Sequence, residues 1–237
     1  MKIKGFLFVV AAIILQAMLM ISVSTDAFPF LDGIPIAASE FLILYWYLPI
    51  VSLSFYFTGY VKFNLNSYGI LKLSRKYSKS KWIVSRYIST MLVLFIFTLT
   101  QLFVFYINTI MIHDNQYVFN NNFFKLTIMY YLTLLVLYSI QLLLELFVSP
   151  HIAQLIVNIY IVFSLFIAKQ LYLLEAPKAM NYFLISNYSN GYRNGLSSLF
   201  DIENVCIDYS VAFFILIILQ ITIVTMSILK VRKMDII

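Results

Sequence analysis

Charge is the scarcest ingredient of this chain. Only 11% of its 237 residues are Asp, Glu, Lys or Arg, against roughly 25% in an ordinary soluble domain. Hydrophobic residues make up 62%, more than a soluble fold of this length can cover, so the solvent has to be the bilayer. Cysteine is all but absent. Cys206 alone excludes an intramolecular disulfide and any multi-cysteine metal site. Two histidines, His113 and His151, are too few for most metal centres. No GxxxxGK-S/T loop is present to cradle nucleotide phosphates, and there is no HExxH helix or GxSxG elbow. The acids do not pair inside apolar runs, as carboxylate catalysis requires, and Cys206 has no base near it in sequence. The expectation is a protein that catalyses nothing and holds no cofactor of its own.

What the chain has is six long apolar runs, each measured against the ~20 residues that cross a ~30 Å hydrocarbon core. They are residues 5–24, 41–59, 87–109, 124–147, 151–174 and 209–229. The fold class expected is all-α, a single polytopic membrane domain over residues 1–237. Lys2 and Lys4 before the first run imitate a signal peptide. Its apolar core is longer than the ~7–15 residues of such peptides, and SVSTDAF makes a poor cleavage site, so the run is kept as a span. Pro49 falls inside the second run, where it kinks a helix or frees a carbonyl. Val148-Ser149-Pro150 reads as a tight turn, with Pro150 suited to a first helical position. Residues 25–40 read as an outer loop with a short interfacial piece. The longest polar stretch, 175–208, carries apolar clusters at Met180–Ile185 and Leu196–Ile202. It reads as two short interfacial or re-entrant helices joined by Asn190-Gly191.

Orientation follows from Tyr60–Arg86, YVKFNLNSYGILKLSRKYSKSKWIVSR, a hydrophilic loop between apolar runs. It holds Lys62, Lys72, Arg75, Lys76, Lys79, Lys81 and Arg86 and no acid. Lys and Arg are retained on the cytoplasmic side of a membrane. With both termini inside, the inner segments carry twelve Lys/Arg and the outer ones four: Lys125, Lys169, Lys178 and Arg193. Eight of the ten acids lie outside, Glu145 and Asp235 being the others. The split predicts six helices, N-in and C-in.

Ionisable residues within spans are costly and usually have a reason. Lys169, near the outer end of the fifth span, can snorkel to the headgroups. Glu145 and Arg86 lie at similar depth near the inner ends of spans four and three. Adjacent antiparallel helices would bring them together as an ion pair, either structural or part of a gating surface. The basic loop has a topogenic role and contact with anionic lipid to explain its charge. Charge alone does not explain apolar YGILKL followed directly by SRKYSKSKW. Apolar anchors rimmed by charge make good interfaces, so Tyr68–Lys81 reads as a docking element for a cytosolic protein. No fold supports a nucleic-acid reading.

The layout resembles the ABC type-2 exporter permeases. It shares six spans with both ends inside, a basic inner loop after span two, a tight turn between spans four and five, and a partly re-entrant outer loop before span six. YGILKLSRKYSKSKWIVSRY looks like the family's cytoplasmic coupling segment, LKVRKMDII like its short charged tail, and NYFLISNYSNGYRN like its outer re-entrant segment. Short permeases of this size resemble subunits of bacterial antimicrobial-peptide exporters, including lantibiotic immunity systems and phenol-soluble modulin exporters. The resemblance implies an ATPase-coupling segment at Tyr68, Gly69, Ile70, Leu71, Lys72, Leu73, Ser74, Arg75, Lys76 and Tyr77. It implies as partners a cytosolic ABC ATPase, which binds the ATP and magnesium, and a second permease copy or paralogue. It also implies export of a hydrophobic or amphipathic substrate across the bacterial cytoplasmic membrane. The rival expectation is a stand-alone membrane immunity protein that sequesters a toxic peptide without an ATPase.

Overall fold

The apolar runs become helices because in hydrocarbon every backbone N–H and C=O must be satisfied within the segment. The computed structural model describes residues 3–21, 28–35, 40–65, 78–112, 121–175, 177–197 and 207–234. The long helices are α1 (Ile3–Ile21), α3 (Glu40–Phe57), α5 (Lys79–Ile112), α6 (Asn121–Leu144), α7 (Pro150–Leu173) and α9 (Tyr209–Lys233). Three short helices, α2 (Pro29–Asp32), α4 (Lys62–Asn64) and α8 (Gly191–Asn194), and 3₁₀ turns at Lys178–Phe183 and Ile185–Ser189 complete the described elements. Five helical segments, at Phe41–Asn64, Lys79–Met111, Asn122–Leu144, Pro150–Leu173 and Tyr209–Lys233, are long and apolar enough to cross a membrane. The chain is thus an all-helical protein with multiple candidate membrane passes, and α1 is a shorter apolar helix beside them.

The long helices alternate in direction. At one end the start of α1 meets the end of α3, where Phe6 and Tyr56 pack edge to face. The start of α5 meets the end of α9 there, Lys79 Nζ donating to Met234 O at 2.6 Å. At the opposite end Phe28 packs on Phe123 and Phe30 on Phe105. The first end carries most of the described Lys and Arg and is called the basic end. The bundle is built around α6, which lies against α3, α5, α7 and α9 and has the largest buried share of the candidate spans.

Side-chain amides and hydroxyls tie the helices together where lipid offers no partner. Gln101 Nε2 donates to Gln16 Oε1 at 2.7 Å, and Tyr130 OH to Gln101 Oε1 at 3.0 Å, linking α1, α5 and α6. Gln141 both accepts from Ser54 Oγ and donates to Ser54 O, each at 3.1 Å. Asn158 Nδ2 donates to Ser54 Oγ at 3.0 Å, which adds α7. Around Pro49, three backbone carbonyls receive side-chain donors: Trp46 O from Gln16, Pro49 O from Ser52 and Ile50 O from Tyr138. A proline in a membrane helix is tolerated where neighbours supply such bonds.

Two expectations are corrected. The helix of the third apolar run starts at Lys79 rather than residue 87, because Trp82 and Ile83 are buried against Val61 and Leu65 and packing carries the helix past the last lipid-facing residue. The piece within residues 25–40 is not interfacial. Phe28, Phe30, Leu31, Asp32 and Ile34 are all buried, and Trp46 Nε1 donates to Phe30 O at 3.0 Å. Asn190-Gly191 does join two short helical pieces, Asn190 closing the 3₁₀ turn Ile185–Ser189 and opening α8, with its side chain accepting from Tyr192 N at 3.1 Å. That side chain also donates to Ile34 O at 2.8 Å and fills the space where Gly33 lacks a Cβ. The two segments are therefore clasped together and packed into the bundle at the end opposite the basic one. Buried Arg193 donates to Asn187, and burial pushes the Tyr188 phenol up, keeping it the donor to Tyr182 O at 2.6 Å.

Candidate functional site

At the basic end the chain leaves α3 through Gly59, whose φ of 73° is open to glycine at little cost. The turn that follows points the N–H groups of Gly59, Val61 and Lys62 toward one spot. Glu145, the residue after α6, fills it. Its Oε1 accepts from Gly59 N at 2.6 Å, and its Oε2 accepts from Val61 N at 3.0 Å and Lys62 N at 3.4 Å. The side chain is 2% exposed. Charge-assisted bonds of this kind are about twice as strong as neutral ones, and they offset part of the cost of burying the carboxylate.

Arg86 reaches the same turn from α5. Its guanidinium carbon sits 5.9 Å from the Tyr60 ring centroid and 5.6 Å from that of Trp82, within cation–π range. Its Nε is buried without a hydrogen-bond partner. Glu145 and Arg86 thus reach the same turn, but the expected ion pair is not formed among the described residues. The physical reason is the turn itself. Three backbone donors take the carboxylate, and two aromatic faces take the guanidinium. Gly59 followed by an aromatic is the signal a reader of the sequence had available, but it says nothing of which distant acid meets it.

Further cations close the site. Lys62 Nζ donates to Val148 O at 3.3 Å, Lys230 Nζ lies 4.6 Å from the Phe147 ring centroid, and Arg232 Nε donates to Ser80 Oγ at 2.8 Å. The expected coupling residues Tyr68–Tyr77 lie outside the described residues. Both sides of that stretch are fixed nonetheless. Val61 and Leu65 before it and Trp82 and Ile83 after it share one apolar cluster with Leu142 and Leu146 at the end of α6 and with Val231 of α9. Lys169 is exposed near the end of α7, a position from which it can snorkel. Among the described residues no group of His, Cys, Asp or Glu could hold a metal.

A family model described as a protein of unknown function, DUF2705, matches residues 8–237. The chain belongs to the DUF2705 family. A curated relative, the uncharacterized protein YybK of Bacillus subtilis strain 168, is 47% identical over 243 residues, covering 99% of this chain and 97% of the relative. No solved structure matches the chain. In this DUF2705 protein the arrangement at the basic end is a mechanical one. A short hydrophilic segment enters and leaves through a single packed cluster, and a buried carboxylate ties its entrance to the central helix.

Proposed function

We propose that this protein is the membrane-spanning permease subunit of an ATP-binding-cassette exporter, driven by a separate cytosolic ATPase. It crosses the bacterial cytoplasmic membrane six times, with both termini and the Tyr60–Arg86 loop inside. Its cargo is a hydrophobic or amphipathic molecule of the toxic or antimicrobial peptide class. Two copies, or this chain and a paralogue, pair with two ATPases, which supply the ATP and magnesium chemistry.

The observation that carries the reading is the anchoring of both sides of residues 66–77 in one cluster on the ends of α6 and α9. A push on that segment reaches the most buried helix directly, through Glu145 and through Leu142 and Leu146. A loop serving only to orient the chain needs positive charge and has no need of such a seat. The test is to purify the tagged chain from its native membrane in mild detergent and identify what accompanies it. A stoichiometric ATPase whose hydrolysis rises with an amphipathic peptide is expected. A chain that binds such a peptide alone, with no ATPase, overturns the exporter reading in favour of a stand-alone immunity protein.

A further inference from the structure

Two parts of the basic end far apart in sequence, the start of α5 and the end of α9, converge into a single patch. Lys79 Nζ bonds the carbonyl of Met234, and Arg232 bonds the hydroxyl of Ser80. Lys81, Arg232 and Lys233 beside them are exposed. We propose that this patch binds the headgroup of an anionic phospholipid.

Three features of the patch carry the assignment. Its charge is uncompensated among the described residues. Glu145 is the one carboxylate at this end among the described residues, and it is turned away into the Gly59–Lys62 turn. The placement of the cations is also unfavourable without an anion. Lys79 and Lys81 stand in the first turn of α5, which holds no acid. There the unpaired N–H groups and the positive end of the helix dipole oppose a cation and attract a phosphate. The third feature distinguishes a lipid from a soluble anion. From Lys81 an exposed stripe descends along α5 at helical spacing through Ser85, Ile88, Leu92 and Phe95, the last three being 52%, 59% and 53% exposed. Leu229 of α9 is similarly bare at 51%. Acyl chains lie along such a stripe while the phosphate rests between Lys81, Arg232 and Lys233. A free phosphate uses only the cations.

Lys81 and Lys233 hold no partner among the described residues, so their removal leaves the packing intact. The test places the full chain in nanodiscs of phosphatidylcholine containing a minority of phosphatidylglycerol and measures how strongly each spin-labelled lipid associates with the protein. Phosphatidylglycerol should be enriched severalfold over phosphatidylcholine. Lys81→Gln with Lys233→Gln should cut that enrichment by up to about fivefold per charge removed, with thermal stability unchanged. Lys169→Gln, at the opposite end, should leave it as it was. Should the double variant fold poorly, Lys81→Gln alone is read against the same Lys169→Gln control. Equal association of the two lipids, or an enrichment indifferent to Lys81 and Lys233, overturns the site. Displacement of the lipid by inorganic phosphate at equal concentration overturns the lipid as its occupant.

Discussion

The carboxylate of Glu145 accepts the Gly59 N–H at 2.6 Å, across 86 residues of chain, and fastens the exit of α3 to the end of α6. Hydrogen bonds to a charged group contribute about 1.5–3 kcal/mol each. Glu145→Gln keeps the shape but removes the charge and turns an amide NH₂ toward backbone donors. A loss of stability of about 2–4 kcal/mol is expected from these bonds, read as a lower thermal midpoint in detergent. An unshifted midpoint would show that the carboxylate does not hold this turn.

Arg86 and Glu145 contact the turn through different groups, an aromatic ring and backbone N–H donors, and form no ion pair among the described residues. Their substitutions to Gln should therefore add within about 0.5 kcal/mol in a double-mutant cycle. A coupling energy above about 1 kcal/mol would mean that the two charges do interact directly.

Gly33 combines a φ of 83° with an Asn190 side-chain carbon 2.6 Å from where a Cβ would stand. Gly33→Ala should cost about 1–3 kcal/mol and loosen the clasp between the two segments opposite the basic end. Protease sensitivity of residues 185–197 is the readout. Gly191→Ala, whose nearest contacts are 3.0–3.2 Å, should be milder. Equal effects from the two would sever the clasp from Gly33.

Orientation is checked with single cysteines in a Cys206→Ser background. Ser78 and Lys178 are both exposed, one at each end. Lys178→Cys should react with an impermeant thiol reagent in intact cells, and Ser78→Cys only after the membrane is opened. The reverse pattern inverts the molecule. Asn190, fully buried, would report nothing.

If residues 68–77 seat an ATPase, their apolar side chains should matter more than neighbouring charge. Buried anchors at an interface cost about 2 kcal/mol or more when truncated, and rim charges little. Leu71→Ala with Leu73→Ala should strip the ATPase from the purified complex or uncouple it, whereas Lys81→Ala should leave it bound. Wild-type retention in the leucine variant removes the docking claim.

Much of this architecture was legible because it is local. Apolar runs of about twenty residues mark membrane helices, and Ser149-Pro150 opens α7 in the expected way, Ser149 Oγ accepting from Ile152 N at 3.4 Å. What stayed hidden depends on partners far away. Phe28–Ile34 contains proline, glycine and an acid and reads as a solvated loop, yet Phe30 is wedged between Phe105 and Tyr130. Trp82 reads as the edge of a polar loop but is buried beside Leu65. Glu145 and Arg86 both reach the Gly59–Lys62 turn, but the backbone N–H groups that Gly59 exposes are invisible to any pairing of charges. Composition records which groups need a partner and leaves open which distant backbone will supply one.

Pro49 carries a consequence for how the bundle can move. A proline leaves an α-helix with a missing donor and a crowded carbonyl, ordinarily a weak point at which that helix bends by itself. Here the carbonyls on either side of it receive Gln16 from α1 and Tyr138 from α6. If α3 straightens or swings about that point, both buried donors lose their acceptors unless their own helices travel with it. The hinge thus belongs to three helices at once, and a displacement begun at one end of α3 is delivered to α1 and α6 halfway along its length.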